Sequence, residues 1–194
     1  MKLPTRPETF ACHPAEVAGD GFFPVHEPHI SANEYPHNQM KSIQIGDLKI
    51  TLPIIQGGMG VGISLSGLAS AVANEGGVGG ISCAGIGLIY PKFSNDYRTN
   101  SIMGLREEIR KARAKTSGVI GVNIMVALSN FADMVRTAIE EKADIIFSGA
   151  GLPLDLPSYL GEKSSTKLVP IVSSARAAHI ICEKWKTNYN YRPD

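Results

Sequence analysis

The fold is predicted by one stretch, Pro53-Ile54-Ile55-Gln56-Gly57-Gly58-Met59-Gly60-Val61-Gly62. A short apolar run passes into four glycines and then into a helical pattern, which predicts a strand, a tight turn and a helix start. Glycines remove Cβ atoms where the backbone must bend or a flat ligand must approach. The stretch fits neither the dinucleotide nor the P-loop signature. It predicts either a ligand site at the carboxyl end of a strand or a plain turn.

Composition favours a globular chain with a small-molecule ligand. The 194 residues are 43% hydrophobic, enough for a core in one or two domains. A net charge of +1 gives no reason to expect binding to nucleic acid or to an anionic membrane. No apolar run approaches the ~20 residues that span a bilayer, and the N-terminus lacks a signal pattern, so we expect a cytoplasmic protein.

Residues 1–38 are predicted to form an extended N-terminal arm, because they are rich in proline and show no sustained helix or strand period. Cys12 and the arm's four histidines match no metal-ligand spacing, so no metal site is predicted. The three cysteines of the chain lie far apart and indicate no disulfide framework. Residues 42–52 alternate apolar and polar side chains around Gly46-Asp47, which predicts a small hairpin that caps the rest of the fold.

From Pro53 onward the chain repeats a unit of apolar strand, loop and amphipathic helix. The strands are predicted at residues 53–56, 78–82, 119–126, 144–147 and 168–172. The loop after the second strand is predicted to run from Cys83 to Asn100. The helices carry apolar stripes at Leu65, Leu68, Ala69 and Val72; Leu105, Ile109 and Ala112; Phe131, Met134, Val135, Ala138 and Ile139; and Ala178, Ile181, Cys182 and Trp185.

Such units predict a parallel sheet covered by helices, either an open doubly wound sheet or a (β/α)8 barrel. The third strand favours the barrel. Its alternate residues Ile120, Val122 and Ile124 are bulky, whereas Gly121 and Asn123 lie on the opposite face. The bulky face would meet the helices, and Asn123 would lie inside, near the carboxyl-end mouth. Residues 39–194 are therefore predicted to form a partial barrel of about the first five units.

Four segments carry a resemblance to a known family: residues 53–62, residues 68–80, Gly121-Val122-Asn123, and Ser148-Gly149-Ala150-Gly151-Leu152-Pro153. They occur in order within residues 40–194 and together resemble the nitronate monooxygenases, formerly called 2-nitropropane dioxygenases. The resemblance implies an FMN-dependent (β/α)8 barrel that oxidises alkyl nitronates with molecular oxygen. Close relatives use the same barrel and flavin as enoyl-acyl-carrier-protein reductases, which is the alternative activity.

The resemblance also implies cofactor-binding residues. The loop containing Gln56, Gly57, Gly58 and Met59 would lie beside the flavin ring, with the backbone of Gly58 and Met59 in contact. Asn123 would hydrogen-bond the polar edge of the flavin. A carboxamide both donates and accepts hydrogen bonds, and an apolar strand has no internal need for one. The alternative for Asn123 is a side chain satisfied by neighbouring backbone.

Further candidates at the strand ends are Gly149 and either Ser173 or Ser174, for which a turn or helix-cap role is the alternative. The chain departs from the family pattern after residue 190, where a sixth strand would begin. The Gly-Gly-His segment that supplies the family's catalytic base, and the loops that bind the flavin phosphate, do not follow. His179 lies on the helix before that strand.

No catalytic residue is therefore predicted in these 194 residues, and we expect weak flavin binding and no nitronate turnover by this chain alone. Two open edges of the sheet predict self-association or pairing with a C-terminal half-barrel partner. A non-catalytic truncated chain or half-barrel subunit is the alternative to an enzyme.

Overall fold

The computed structural model describes residues 40–91, 93–162 and 164–194. The predicted arm at residues 1–38 lies outside the described residues. The strands are β1 (Ile43–Ile45), β2 (Leu48–Ile50), β3 (Val78–Ser82), β4 (Val119–Met125), β5 (Ile145–Gly149) and β6 (Lys167–Pro170). The helices are α1 (Ser66–Asn74), α2 (Ile86–Ile89), α3 (Tyr97–Arg113), α4 (Phe131–Glu140), a 3-10 turn (Leu156–Tyr159) and α5 (Ala175–Tyr189).

The main sheet is parallel and has the strand order β3-β4-β5-β6. Strands that follow one another in sequence are neighbours in the sheet, whereas a doubly wound sheet reverses its order at one point. The predicted first strand is reduced to a single bridge between Ile55 and Val78. The bridge is short because Pro53 has no N–H to donate and the backbone turns away at Gly57. The sheet is therefore part of a (β/α)8 barrel, as predicted.

The two faces of the sheet differ as the alternation in the third strand predicts. Ile120, Val122 and Ile124 are fully buried in the core that the helices share with β4. Gly121 and Asn123 lie on the opposite face, which no helix of the described residues covers. A Cβ atom at Gly121 would lie 2.6 Å from Cε2 of Phe147, so the glycine makes room for this aromatic ring. In the described part of the chain the helices cover one face of the sheet, whereas a doubly wound sheet has helices on both faces.

The predicted hairpin closes the amino-terminal end of the sheet. β1 and β2 pair antiparallel around Gly46, whose φ of 56° is in the left-handed region that favours glycine. Ile45 and Ile50 are buried and pack with Val78 and Ile145, which lie at the start of their strands. The hairpin thus closes the inside of the barrel at the amino-terminal ends of the strands.

The prediction for the buried face of α1 is wrong, because the predicted apolar stripe does not coincide with the residues that are buried. Leu68 is 42% exposed. A Cβ atom at Gly79 would lie only 1.9 Å from the carbonyl oxygen of Ala69, so α1 packs backbone against backbone on β3. Only small side chains fit into this contact. The buried residues of α1 are accordingly Ser66, Ala69, Ser70 and Ala73.

The segment between β3 and β4 is more helical than predicted. It contains α2, and α3 already begins at Tyr97 rather than after Asn100. Asp96 is the N-cap of α3: its carboxylate accepts hydrogen bonds from the backbone N–H of Arg98 at 3.3 Å and of Thr99 at 2.8 Å. An aspartate at this position is a strong start signal for a helix that the apolar period alone does not reveal.

The last part of the described chain agrees with the prediction in outline. In α5, Ile181 and Trp185 are buried, but Cys182 is exposed. The chain then returns along the free edge of β6, where the backbone N–H of Asp194 donates to the carbonyl of Leu168 at 3.1 Å. This is the segment in which the sequence predicts the start of a sixth strand. Within the described ranges, no helix is both long enough and apolar enough to cross a bilayer.

Candidate functional site

The loop after the Ile55 bridge is held by the side chain of Gln56. Its Nε2 donates to the carbonyl of Gly80, and its Oε1 accepts from the N–H of Gly80, both at 3.1 Å. The carboxamide thus takes the place of the next peptide unit in the ladder with β3, while the backbone turns away. This gives the Gln56 side chain a structural role, and a cofactor contact from this residue stays a prediction.

The other half of the loop is held by Ser64, whose role the sequence analysis missed. Its fully buried hydroxyl accepts hydrogen bonds from the N–H of Met59 at 2.9 Å and from Nε2 of Gln56 at 3.1 Å. It also donates to the carbonyl of Gly57 at 3.2 Å. A serine just before a helix is ordinarily taken as a cap, and no pattern in the sequence indicates these contacts.

The structure brings this loop and Asn123 together. A Cβ atom at Gly58 would lie 2.5 Å from Cβ of Asn123, so a side chain there would displace the asparagine. At Gly57, in contrast, a Cβ atom would meet no other atom within 4 Å. The Met59 side chain is also exposed. Gly57 and Met59 are therefore exposed on the loop whose Gly58 packs against Asn123.

Asn123 lies near the carboxyl end of β4, between Ser82 of β3 and Phe147 of β5. Its backbone carbonyl accepts from the N–H of Cys83 at 3.1 Å. Among the residues that the structure describes, none forms a hydrogen bond with its half-buried carboxamide. No backbone group of the described residues satisfies the carboxamide, and a flavin contact from Asn123 stays a prediction. With respect to the described residues, a donor and an acceptor thus remain available, which fits the polar edge of a flavin ring.

The further candidates, Gly149 and Ser174, have structural roles at the end of a strand and at the start of a helix. Gly149 ends β5, and its carbonyl accepts from the N–H of Val126 at 2.8 Å. A Cβ atom at Gly149 would lie 2.9 Å from Cβ of Ile171, so the glycine permits close packing of the next strand end. Ser174 is the N-cap of α5, accepting from the N–H of Ala177 at 3.2 Å. A cofactor contact from Gly149 or Ser174 stays a prediction.

A cavity of about 350 Å³ opens between the loops that follow β5 and β6. Its walls are mostly apolar. The residues that line it are Ala150, Gly151, Leu152, Ile171, Val172, Ser173 and Ala177. Ser173, the other serine candidate, therefore faces this cavity while Ser174 caps the helix beside it.

The histidine and the buried cysteine of the described part of the chain are poorly suited to proton transfer. Its one histidine, His179, is exposed on α5 and lies 3.3 Å from Oε1 of Glu183. Cys83 is buried among the helices, and burial raises the pKa of its thiol. Within the described ranges, no group of three or more His, Cys, Asp or Glu side chains is arranged to hold a metal ion. No general base is evident beside Asn123 among these residues.

Comparison with solved structures finds longer proteins of which one part has a similar fold. FabK from Thermotoga maritima is 31% identical over 68% of this chain and 37% of its own length, with a TM-score of 0.52. A variant of that FabK is 32% identical over 68% of this chain and 40% of its own length, with a TM-score of 0.55. A nitroalkane oxidase from Streptomyces ansochromogenes is 17% identical over 69% of this chain and 44% of its own length. Its TM-score is 0.54, and at this identity the likeness supports the fold alone. The chain spans less than half the length of each of these proteins.

Comparison with protein families is more specific. A comparison with curated proteins gives no significant match. The nitronate monooxygenase family matches residues 41–189, a range that includes both the Gln56–Gly60 loop and Asn123. The family consists of flavin oxidoreductases. The chain therefore belongs to the nitronate monooxygenase family.

Proposed function

We propose that this chain supplies the flavin-ring part of an FMN-dependent oxidoreductase that oxidises alkyl nitronates with molecular oxygen. The observation that carries the proposal is the carboxamide of Asn123, which has no hydrogen-bond partner among the described residues. Asn123 packs against Gly58, and a Cβ atom at the neighbouring Gly57 would meet no other atom within 4 Å. Family membership supports a flavin as the ligand of these groups, and the sequence resemblance indicates FMN.

FMN, when bound, supplies the redox chemistry of such an enzyme. The residues of this chain bind and orient its ring: Asn123 offers a donor and an acceptor, and Gly57 and Gly58 allow the backbone to approach a flat ligand. The exposed Met59 side chain offers an apolar surface at the same loop. Hydrogen bonds from Ser64 and Gln56 hold the loop in place before any ligand arrives, which lowers the entropic cost of binding.

Two parts of the site are proposed to come from outside the described residues. A positioned base typically contributes about 10²- to 10⁴-fold to a proton abstraction. His179 does not suit this task, because it is exposed on α5 and pairs with Glu183. A phosphate group is normally held by backbone N–H groups at a helix N-terminus, and the ring loop offers no such arrangement. We therefore expect weak FMN binding and no nitronate turnover by this chain alone.

The open edges of the sheet are proposed to be covered by further strand-helix units that complete the barrel. Ile54 and Ile55 at one edge and Ile171 and Val172 at the other are exposed. Asp194 already pairs with Leu168 along the second edge. Solved relatives with this fold have more than twice the matched length. Without those units, the chain is expected to self-associate through its exposed edges.

Sedimentation of the chain over a range of concentrations tests this expectation. The mean mass should rise with concentration, because unpaired backbone groups and apolar side chains at both edges promote association. A monodisperse monomer that melts cooperatively would contradict it.

The ring site is tested by Gly57→Leu and Asn123→Ala. Leucine at Gly57 has no protein atom to displace but fills the space proposed for the flavin, and alanine at Asn123 removes its polar contact. We expect each substitution to weaken FMN binding about tenfold or more, as measured by flavin fluorescence in a titration. Gly67→Leu is the matched control, because Gly67 is equally open but lies on α1. FMN binding unchanged by Gly57→Leu would count against the site.

The two candidate activities are separated by substrate. The chain should be assayed together with the units that complete the barrel, with oxygen uptake measured on an alkyl nitronate. Oxidation of NADH with an enoyl thioester is measured in parallel. Nitronate-dependent oxygen uptake supports the proposal, whereas enoyl reduction in its place supports the alternative implied by the sequence resemblance.

A further inference from the structure

All the hydrogen bonds that the Ser64 hydroxyl can form are made with residues of one loop. A serine hydroxyl has one donor and two acceptor positions. In Ser64 the donor goes to the carbonyl of Gly57, and the acceptors take the N–H of Met59 and Nε2 of Gln56. The side chain is fully buried, so water does not compete for these bonds. One hydroxyl thus connects the first, second and fourth residues of the Gln56–Met59 segment.

These bonds are informative because Gly57 and Gly58 lie between residues that are held elsewhere: Gln56 is bonded to Gly80, and the Met59 carbonyl accepts from the backbone N–H of Ser64 at 3.0 Å. Gly57 and Gly58 are adjacent, and glycine populates more backbone conformations than any other residue. The Gly57 side of the loop is open. Turning the Gly57 carbonyl and the Met59 N–H toward Ser64 fixes the peptide groups on both sides of Gly58. Gly58 is then held against the Asn123 side chain.

Ser64 is itself fixed at several points of the scaffold. Its backbone carbonyl accepts from the N–H of Ser82, the last residue of β3, at 2.9 Å. Two residues further on, the N–H of Ser66 donates to the buried Glu108 carboxylate at 2.7 Å. Because Ser64 is fixed to β3 and lies next to α1, its hydroxyl fixes the glycine loop relative to these two elements. It does so without exposed atoms that could touch a ligand.

We propose that Ser64 is the positioning residue of the flavin-ring site. It sets the distance and orientation between the glycine loop and the Asn123 carboxamide. The inference rests on the proposed function for its flavin, but the loop geometry that it explains is a property of the chain without a ligand. Ser64 acts through Gly57 and Met59 and is not itself a catalytic residue.

Hydrogen exchange of the Met59 amide tests the positioning in the ligand-free chain. In the unsubstituted chain this amide should be protected, although it lies in a glycine-rich loop, because its N–H is bonded to a buried hydroxyl. Ser64→Ala should speed its exchange about tenfold or more, while core amides of β4 keep their protection. Ser70→Ala is the matched control: Ser70 is also a buried serine, but among the described residues its hydroxyl bonds Gly67 of the same helix and no residue of the loop.

A titration with FMN completes the test. Ser64→Ala should weaken FMN binding about tenfold, and Ser70→Ala should leave it unchanged. An unprotected Met59 amide in the unsubstituted chain overturns the positioning role whether or not any variant folds. Equal exchange and equal FMN affinity in Ser64→Ala and the unsubstituted chain also overturn it. Accelerated exchange in a chain that binds no FMN at all overturns the proposed function, and with it the flavin role of Ser64, but not the loop geometry.

Discussion

Replacing Gly79 with alanine is expected to prevent β3 and α1 from packing. The added Cβ atom would lie 1.9 Å from the carbonyl oxygen of Ala69 and 2.6 Å from its carbonyl carbon. Both are backbone atoms of a helix, so neither can move aside as a flexible side chain would. Overpacking of this kind exceeds the usual range of core substitutions, and we expect a loss of more than about 4 kcal/mol in the free energy of unfolding. Total stabilities of about 5–15 kcal/mol leave little margin for such a loss.

Denaturation followed by circular dichroism measures the effect. Gly67→Ala is the control on the same helix, because a Cβ atom there meets nothing within 4 Å. It should stabilise the chain by about 0.5–1 kcal/mol through the better helix propensity of alanine. A Gly79→Ala variant that unfolds within about 1 kcal/mol of the unsubstituted chain would contradict the close approach of α1 to β3.

The second large effect is expected for Glu108, a buried carboxylate on α3. Burial by itself would raise its pKa, but hydrogen bonds from the Tyr90 hydroxyl and from Ser66 outweigh burial and hold the pKa below its usual value. Lys111 lies 3.4 Å from the same carboxylate. Glu108 thereby joins α3 to the start of α1 and to the segment after α2. Glu108→Ala should cost about 3 kcal/mol in the free energy of unfolding, because charged hydrogen bonds are lost and a cavity remains.

The pH dependence of this contribution has a definite sign. A carboxyl group whose pKa is lower in the folded state stabilises the fold above its unfolded pKa, which is about 4.5 for glutamate. That stabilisation disappears as the pH falls through the folded-state pKa. The difference in unfolding free energy between the unsubstituted chain and Glu108→Gln should therefore shrink between neutral and acidic pH. A difference that stays constant down to about pH 3 would contradict the depressed pKa.

The sequence predicted the features that depend on local period. β4 alternates β-branched residues with Gly121 and Asn123, so the assignment of its faces needs only the strand period of two. The positions of most strands are predictable from short apolar runs, and the family is predictable from the motifs at the ends of these runs. The stripe of α1 was wrong because the contact between Gly79 and Ala69 reverses the usual preference for large buried side chains. That contact joins residues from two elements, and helical period carries no information about it.

The candidate site was predictable in part for a similar reason. Asn123 stands out as a polar residue in an apolar strand, and the glycines beside Gln56 mark a sharp turn. The contact between Asn123 and Gly58 joins two segments far apart in sequence, so it is visible only in the folded chain. The roles of Ser64 and of the Gln56 carboxamide depend on hydrogen bonds that only the folded chain forms. Ser174 caps α5 as the helix start predicts, and its cofactor contact stays a prediction.

Mapping the flavin contact on the isotope-labelled chain tests the central claim most directly. Amide shifts would be recorded while excess FMN is added, and again with lumiflavin, which has the ring but no phosphate. We predict shift changes centred on the amides of Gly57, Gly58 and Met59 and on the side-chain NH₂ of Asn123, with the same pattern for both ligands. Changes centred elsewhere, such as on α5, or no changes at millimolar ligand, would contradict the assignment of this loop and Asn123 as the flavin-ring site.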